Sequence, residues 1–166
     1  MTILESRINP QDDTFKANRE GMFDAINALR AVESSVIATE EKARAKYHKR
    51  GQMLPRERVH LLLDRGSPFM ELSTLCGYKM HDDKDGSLAG GNTIAGIGYV
   101  EGVRCLIVAS NSAIKGGTMT PFGVQKTLRL QEIALQQKLP IVSLIESGGA
   151  NLMYQAELFI PGGKTF

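Results

Sequence analysis

The sequence predicts an α/β fold, and three observations support that prediction. A short apolar run at residues 139–145 opens with Leu-Pro and stops at Glu-Ser-Gly-Gly, which is typical of a strand buried on both faces of a parallel sheet. Two strand-like runs before it flank a Glu-Gly dipeptide, which indicates a β-hairpin. Helical segments separate and follow these runs in the order expected when helices are layered on a sheet.

Composition and charge narrow the possible classes of protein. The 166 residues suffice for one domain with a core, and the net charge of +2 is too small to indicate nucleic acid or a membrane as partner. No apolar run reaches the roughly 18 residues of a transmembrane helix. The first residues lack a secretory signal pattern, so a cytoplasmic protein is expected. Cys76 and Cys105 are isolated, so we expect buried thiols and no metal site.

The first third of the chain predicts helices, which we assign to an N-terminal arm at residues 1–50. Asp12 or Asp13 can cap the first helix, and a second helix is expected from Val36 to about Tyr47. The apolar stripe of the first helix consists of Phe15, Met22, Phe23, Ile26 and Leu29. Such a stripe has to be buried, either on its own domain or on another subunit.

Positive charge is densest between residues 42 and 58. The basic side chains there are Lys42, Arg44, Lys46, His48, Lys49, Arg50, Arg56 and Arg58. One interpretation is a solvated helix end, where cations are favoured by the helix dipole. The other is a clamp for phosphate, which requires that a phosphate-bearing ligand be indicated by other residues.

Shorter elements follow along the chain. Pro55 is expected to begin a short helix, residues 69–75 look like a strand, and the hairpin strands are expected at 93–100 and 103–109. The acidic loop at 81–87 lacks the alternating ligands of a calcium site, so we expect it to be exposed to solvent.

Two diglycine pairs are candidate functional loops, because each ends an extended run and leads to the start of a helix. Gly116-Gly117 precede a helix with Thr120 as cap and Pro121 in its first turn, and Gly148-Gly149 follow the buried strand. Bare backbone N–H groups at such turns suit a phosphate or a developing oxyanion. A tight turn without a ligand explains the same pattern equally well.

Familiar side-chain motifs are incomplete in this sequence. Gly163-Lys164-Thr165 imitates a P-loop, but Leu158 stands where the motif needs glycine. Ser147 and Gly149 form half of a nucleophile elbow, but Ile145 replaces its first glycine. The three histidines show no spacing typical of a metal or catalytic pair. Chemistry by backbone N–H donors is therefore favoured over chemistry by side chains.

The sequence resembles a known family over nearly its whole length from about Ile8. The segments that carry the resemblance are Leu54-Pro55-Arg56-Glu57-Arg58-Val59, the run from Leu61 to Phe69, Gly96-Ile97-Gly98-Tyr99-Val100-Glu101-Gly102, Lys115-Gly116-Gly117-Thr118, Gln131-Glu132-Ile133-Ala134 and Ser147-Gly148-Gly149-Ala150-Asn151-Leu152. They are similar to the carboxyltransferase β subunit of biotin-dependent acyl-CoA carboxylases. The Ala-Asn-Leu ending of the second diglycine turn is nearest to the methylcrotonyl-CoA and geranyl-CoA branch.

This resemblance implies a crotonase-like ββα superhelix that transfers a carboxyl group from carboxybiotin to an acyl-CoA. It implies a biotin carboxylase or biotin carrier as partner, a homo-oligomer of β subunits, a CoA thioester as substrate and no metal. It also implies catalytic amides at Gly148 and Gly149. Substrate-binding residues are then expected at Arg56, Arg58, Lys115, Gly116, Gly117, Ser147 and Ala150, with the two arginines as contacts of the CoA phosphates.

Several residues depart from the family pattern. Ser112 stands where Asp is usual, Glu146 where Asp is usual, and Met153-Tyr154 where Pro-Arg is usual. Family subunits are also several times longer, so residues 51–166 are expected to form the front part of an N-terminal carboxyltransferase domain that is inactive alone. The alternatives are a decarboxylase subunit of the same fold, a CoA-binding or assembly module without catalysis, and more remotely a serine hydrolase at Ser147.

Overall fold

The computed structural model describes residues 6–165, so the predictions for residues 1–5, including the missing signal pattern, and for Phe166 lie outside it. Its helices are α1 (Asp13–Glu41), α2 (Arg44–Lys49), α3 (Pro55–Leu62), α4 (Pro121–Gln137) and α5 (Gln155–Gly162). Its strands are β1 (Met70–Glu71), β2 (Thr93–Val100), β3 (Val103–Ser110) and β4 (Ile141–Leu144). Short 3₁₀ turns occupy Lys115–Gly117, Leu152–Tyr154 and Gly163–Thr165.

The chain divides after Ser34 into two compact units. The first contains most of α1, whose predicted apolar residues are largely exposed: Met22 is 62% exposed and Leu29 is 50% exposed. Within this unit the Arg19 guanidinium lies 4.6 Å from the centre of the Phe23 ring. Burial of this stripe on another subunit stays a prediction.

Helix α1 also differs from its predicted length. The sequence predicts a break near residues 33–35, but the helix continues through Ser34 and Ser35 to Glu41 and breaks at 42–43. Serine is only a mild helix breaker, and no glycine or proline interrupts this region, so the helix continues.

The second unit is organised around a four-stranded sheet of order β1-β2-β3-β4. β1, β2 and β3 are antiparallel neighbours, whereas β3 and β4 are parallel. The predicted hairpin is confirmed: Glu101 and Gly102 form its turn with φ values of 50° and 74°, as a two-residue turn of this kind requires. β1 is shorter than the strand predicted at 69–75.

Side chains from the two faces of the sheet form two hydrophobic clusters. One cluster consists of Val59, Ile94, Cys105, Ile107 and Ala109, with α3 on that face. The other consists of Ala95, Leu106, Leu130, Ala134 and Leu139, with α4 on that face. Because Leu106 and Ile107 alternate between the two clusters, β3 is the strand covered on both faces.

β4 corrects the prediction that residues 139–145 are buried on both faces. Val142 and Leu144 pack against the core, but Ile141 is 44% exposed and Ile145 is 69% exposed. The strand lies at the edge of the sheet, so a continuous apolar run predicted its burial wrongly. No described helix is long and apolar enough to cross a bilayer.

Candidate functional site

Two loops meet at one edge of the sheet. Loop 1 (residues 111–120) follows β3 and loop 2 (residues 145–151) follows β4. Because β3 and β4 run parallel and are hydrogen-bonded neighbours, their carboxyl ends lie side by side. Each loop contains one of the diglycine pairs, so the sheet brings the two pairs together.

Backbone hydrogen bonds join the loops directly. The N–H of Gly148 donates to the carbonyl of Gly116 at 2.8 Å. The N–H of Met119 donates to the carbonyl of Gly149 at 2.8 Å, and the carbonyl of Met119 accepts the N–H of Asn151 at 3.1 Å. Met119 and Ala150 are therefore paired as in a short parallel ladder.

This close approach explains why glycine occupies two of the positions. Gly117 has φ +70°, and a Cβ there would collide with the carbonyl oxygen of Glu146. A Cβ at Gly148 would lie 3.0 Å from the carbonyl oxygen of Gly116. Gly116 also has φ +65°, but a Cβ there would meet nothing within 4 Å.

The hydrogen bonding corrects the expectation that both amides of the second diglycine are free. Gly148 and Gly149 are exposed, but the first donates to loop 1 and the second donates to Ser147 Oγ at 3.1 Å. Among the residues that the structure describes, the N–H of Ala150 meets no backbone or side-chain acceptor. In a parallel pair only one of the two facing residues uses its backbone groups in the ladder. Here that residue is Met119, so the N–H and C=O of Ala150 point away from it. Ala150 is thus a free donor of loop 2, at the point where the two loops pair.

Loop 1 offers fewer free backbone N–H donors than predicted. The N–H of Gly117 donates to the carbonyl of Ile114 at 2.9 Å, and Gly117 is buried. Gly116 is exposed, and its carbonyl accepts a hydrogen bond from loop 2. Its predicted role as a substrate contact stays a prediction.

Ser147 is used to join the loops. Its hydroxyl donates to the carbonyl of Gly117 at 3.1 Å and accepts the N–H of Gly149. None of the hydrogen bonds of this hydroxyl within residues 6–165 involves a histidine or a carboxylate. A serine nucleophile needs such a base, so the hydrolase alternative receives no support from the geometry.

Arg58 lies beside loop 2. Its Nη1 donates to Glu146 Oε2 at 3.1 Å, which connects α3 to the residue before Ser147. Through this contact the Arg58 side chain lies next to loop 2. Its predicted contact with a CoA phosphate stays a prediction.

Arg56 is placed differently, and its predicted phosphate contact stays a prediction. Its guanidinium forms two hydrogen bonds with Glu71, at 2.6 and 2.8 Å, and its Nε lies 3.1 Å from Glu40 Oε2. The latter contact is an ion pair by distance but is misaligned for a hydrogen bond. Burial opposes the charge on Arg56, but these carboxylates outweigh it and raise its pKa. Two carboxylates around one guanidinium leave no excess positive charge for a phosphate.

A cluster that the sequence did not predict lies beside both loops. Asp82 accepts a hydrogen bond from Tyr154 Oη at 2.6 Å and one from Lys115 Nζ at 3.4 Å. The ring of His81 packs against Phe122 and Tyr154, with centroid distances of 5.0 and 5.5 Å. The hydrogen bond from Tyr154, and then the one from Lys115, lower the pKa of Asp82, and the bond between Tyr154 and Asp82 raises the pKa of Tyr154.

The acidic loop at 81–87 is thus not simply the solvated loop that its sequence predicts. Asp83 is 4% exposed and accepts the backbone N–H groups of Lys79 and Leu88, both at 2.9 Å. No signal in the sequence distinguishes this aspartate from its neighbours, because its partners are defined only by the folded loop.

Loop 1 is anchored from two further sides. Tyr47 Oη of α2 donates to Ser112 Oγ at 2.8 Å, and the side chain of Asn92 donates to the carbonyl of Thr118 at 2.6 Å. The sequence singled out Ser112 only as a departure from a family pattern. Its contact explains how a serine fits there.

A cavity of ≈ 230 Å³ opens beneath the loops, between α4 and the sheet. Gly117 and Ser147 border it at one end, and Ile141 and Leu130 line its walls. Within the described residues, no group of three or more His, Cys, Asp or Glu side chains could hold a metal ion.

Comparison with known proteins gives a family match. The family described as the carboxyl transferase domain matches this chain over residues 46–164. A probable biotin-dependent acyl-coenzyme A carboxylase beta2 subunit of Mycobacterium tuberculosis is 41% identical over 99% of this chain and 30% of its own length. The probable methylcrotonoyl-CoA carboxylase beta chain of Drosophila melanogaster is 40% identical over 95% of this chain and 27% of its own length.

Solved structures give the same picture of the fold. The beta subunit of geranyl-CoA carboxylase from P. aeruginosa matches with a TM-score of 0.88 and 54% identity, over 98% of this chain and 30% of that chain. Transcarboxylase 12S matches with a TM-score of 0.75 at 22% identity, over 86% of this chain and 29% of that chain, which is evidence for the fold alone. The chain therefore spans less than a third of the length of these proteins. The predicted α/β, crotonase-like fold is confirmed.

Proposed function

Because this chain belongs to the family of carboxyl transferase domains, we propose that it forms part of the site at which a biotin-dependent acyl-CoA carboxylase carboxylates its acyl-CoA. One observation carries the proposal. Two diglycine loops are hydrogen-bonded side by side at the carboxyl edge of the sheet, and within the described part of the chain the N–H of Ala150 is left unpaired there.

In this proposal the N–H of Ala150 donates to the thioester oxygen of the acyl-CoA. Negative charge develops on that oxygen when the adjacent carbon skeleton loses a proton, and a donor fixed in advance stabilises it. The hydrogen bonds between the loops keep this donor in place. Gly149 can add a second donor if its weak bond to Ser147 Oγ opens. Carboxybiotin, brought by a biotin-carrying partner protein, supplies the carboxyl group as its N–C bond breaks, and the ureido nitrogen released takes up the proton that the substrate carbon loses.

We propose a branched-chain enoyl-CoA as the substrate, with geranyl-CoA and methylcrotonyl-CoA as the first candidates. Support comes from the 54% identity to the geranyl-CoA carboxylase beta subunit and from the methylcrotonoyl-CoA carboxylase relatives at 39–42%. Propionyl-CoA carboxylase beta chains match at 28–32% over about two thirds of the chain, so propionyl-CoA is the less favoured substrate.

Oligomerisation with further β subunits and a cytoplasmic location belong to the same proposal. Transcarboxylase 12S, which shares the fold, assembles as a hexamer. Several of the related methylcrotonoyl-CoA carboxylase chains are named as mitochondrial, so fractionation of the source cells is the direct check of location.

The test uses the complete carboxylase with its biotin-carrying subunit, ATP and labelled bicarbonate. Geranyl-CoA, methylcrotonyl-CoA and propionyl-CoA are offered separately, and the carboxylated product is measured. Transfer to a branched enoyl-CoA is expected. Transfer to none of them would overturn the proposal. If the enzyme transfers to none but releases carbon dioxide when it is given a carboxylated thioester, a decarboxylase is favoured.

Two variants test the role of the amide in the same assay. Ala150→Pro removes the N–H, and Ala150→Ser keeps it. Removing one donor to an oxyanion is expected to lower kcat about 100-fold, while the serine variant stays near the wild type. Titration with CoA shows whether the proline variant still folds and binds. Equal activity of the two variants would contradict the assignment of Ala150.

A further inference from the structure

Asp82 contacts segments on both sides of the candidate site. We propose that Asp82 is a positioning residue, which holds loop 1 through Lys115 and loop 2 through Tyr154. This inference rests on the proposed function only where it concerns activity. Its structural part concerns the geometry of the loops and stands independently.

The bonding partners of Asp82 adjoin the diglycine loops in the chain. Lys115 directly precedes Gly116 and has φ 46°, which is an uncommon conformation for a residue with a side chain. Tyr154 follows loop 2, and its N–H donates to the carbonyl of Asn151 at 3.0 Å. A single carboxylate therefore receives a donor from each side of the ladder between Met119 and Ala150.

The segment that carries Asp82 is itself fixed. The buried carboxylate of Asp83 accepts two backbone N–H groups and closes the loop between residues 79 and 88. The ring of His81 packs between Phe122, in the first turn of α4, and Tyr154. The loop is thus anchored to the protein on both sides of Asp82, as a positioning element has to be.

The contacts of Asp82 are expected to fix the orientation of the loops more than they add to the free energy of unfolding. The side chain of Asp82 is 49% exposed and that of Lys115 is 42% exposed, and ion pairs in such surroundings contribute little to the free energy of unfolding. The bond from Tyr154 to the charged carboxylate is short, at 2.6 Å, and well suited to fix orientation. Loss of Asp82 should therefore loosen the loops without unfolding the protein.

The experiment compares Asp82→Ala, Tyr154→Phe and the double variant with Asp85→Ala in the complete enzyme. Asp85 lies on the same loop and is exposed, but its carboxylate accepts the N–H of Ser87 within the loop at 3.0 Å. Hydrogen exchange is measured over residues 115–119 and 147–153, and kcat and KM are measured with the preferred acyl-CoA.

Asp82→Ala and Tyr154→Phe are expected to speed exchange in the loops that Asp82 contacts. They should lower kcat about 10-fold with KM changed less than about twofold, because misplaced donors act mainly in the transition state. The double variant should be no worse than Asp82→Ala, since both single changes break the same bond. Asp85→Ala should behave as the wild type.

Three results would overturn the inference. They are equal exchange in Asp82→Ala and Asp85→Ala, faster exchange confined to residues 79–88, and fully additive effects of Asp82→Ala and Tyr154→Phe. If the wild type catalyses no carboxyl transfer, the proposed function fails, while the exchange data still decide whether Asp82 holds the loops.

Discussion

Lys126 shows how a single side chain joins three segments near the site. Its Nζ is buried and donates to the carbonyls of Ser73, Gly90 and Thr93 at 3.2, 3.0 and 2.6 Å. The three N–H bonds of an ammonium group match these three acceptors. Burial lowers the pKa of Lys126 to about 8, so the side chain is still charged at neutral pH.

Replacing Lys126 with methionine is expected to reduce the free energy of unfolding by about 3 kcal/mol, because three inward-facing carbonyls lose their donor. The measurement is chemical unfolding at pH 7. Gln125→Met is the matched control, since Gln125 is the exposed neighbour on α4 and should change stability by less than about 0.5 kcal/mol. Equal effects of the two substitutions would show that the three bonds do not matter.

The same lysine predicts a dependence on pH with a definite sign. Its pKa is about 8 in the folded protein and 10.5 as the ordinary value, so the unfolded chain binds more protons between these limits. Stability contributed by this group therefore rises as the pH increases from 8 to 10.5. Lys126→Met should lack that rise. A wild-type protein whose stability follows that of the variant across this window would contradict the prediction.

Gly116 and Gly117 form a natural pair for a second test. Both have left-handed backbone conformations, but only Gly117 would place a Cβ against the carbonyl of Glu146. Gly116→Ala should cost about 1 kcal/mol from backbone strain alone. Gly117→Ala should cost at least about 2 kcal/mol more, because loop 1 has to move away from loop 2. Thermal unfolding measures both, and similar losses would mean that the loops are not in close contact.

At this scale the sequence predicts which residues matter better than what they do. The two diglycine pairs stand out in the sequence because glycine has a distinct conformational role. The partner of each amide does not, since Gly148 N–H bonds to Gly116, which is distant in the chain. The partners of Arg56 are hidden for the same reason: its positive charge is visible in the sequence, whereas Glu40 and Glu71 become its neighbours only on folding.

Among the elements, the hairpin of β2 and β3 is held by an anchor outside its own strands. Asp64, just after α3, accepts the N–H groups of Glu101 and Gly102 at 2.7 and 2.8 Å, and its own N–H donates to the carbonyl of Tyr99. One carboxylate thus satisfies both turn amides and attaches the hairpin to the helix that packs on it.

Asp64→Ala is expected to lower the free energy of unfolding by about 2 kcal/mol, the value for loss of two charge-assisted hydrogen bonds at a partly exposed site. Arg65→Ala is the control, because Arg65 is the exposed neighbour and makes no corresponding contact with the turn within the described residues. Hydrogen exchange at residues 101–102 should increase in the first variant only. Unchanged exchange there would contradict the anchoring role.

The elements are predicted well where their signals are local. Thr120 accepts the N–H of Gly123 at 3.1 Å and Pro121 follows it, so the start of α4 is as predicted. Pro55 begins α3 in the same way. The exposure of β4 could not be predicted, because it depends on which strands and helices lie beside it. An apolar run indicates which side chains a strand could bury, but not whether neighbouring elements cover them.

On the scale of the whole molecule, the candidate site lies next to much exposed apolar surface. Ile145 is 69% exposed and Leu152 is 64% exposed, while Met153, Phe159 and Ile160 are 87%, 58% and 76% exposed. All of them lie within loop 2 or shortly after it. An apolar surface of this kind marks a region of contact with other protein or with a ligand.

The 166 residues alone are therefore expected to lack carboxyltransferase activity. Charge on a thioester oxygen is stabilised effectively only where water is excluded, and loop 2 is open to solvent in this structure. The test supplies the purified polypeptide with an acyl-CoA and carboxybiotin, beside the complete geranyl-CoA carboxylase beta subunit as positive control. Product formation above the rate without protein would show that one pair of diglycine loops suffices, and the site would then need no further covering surface.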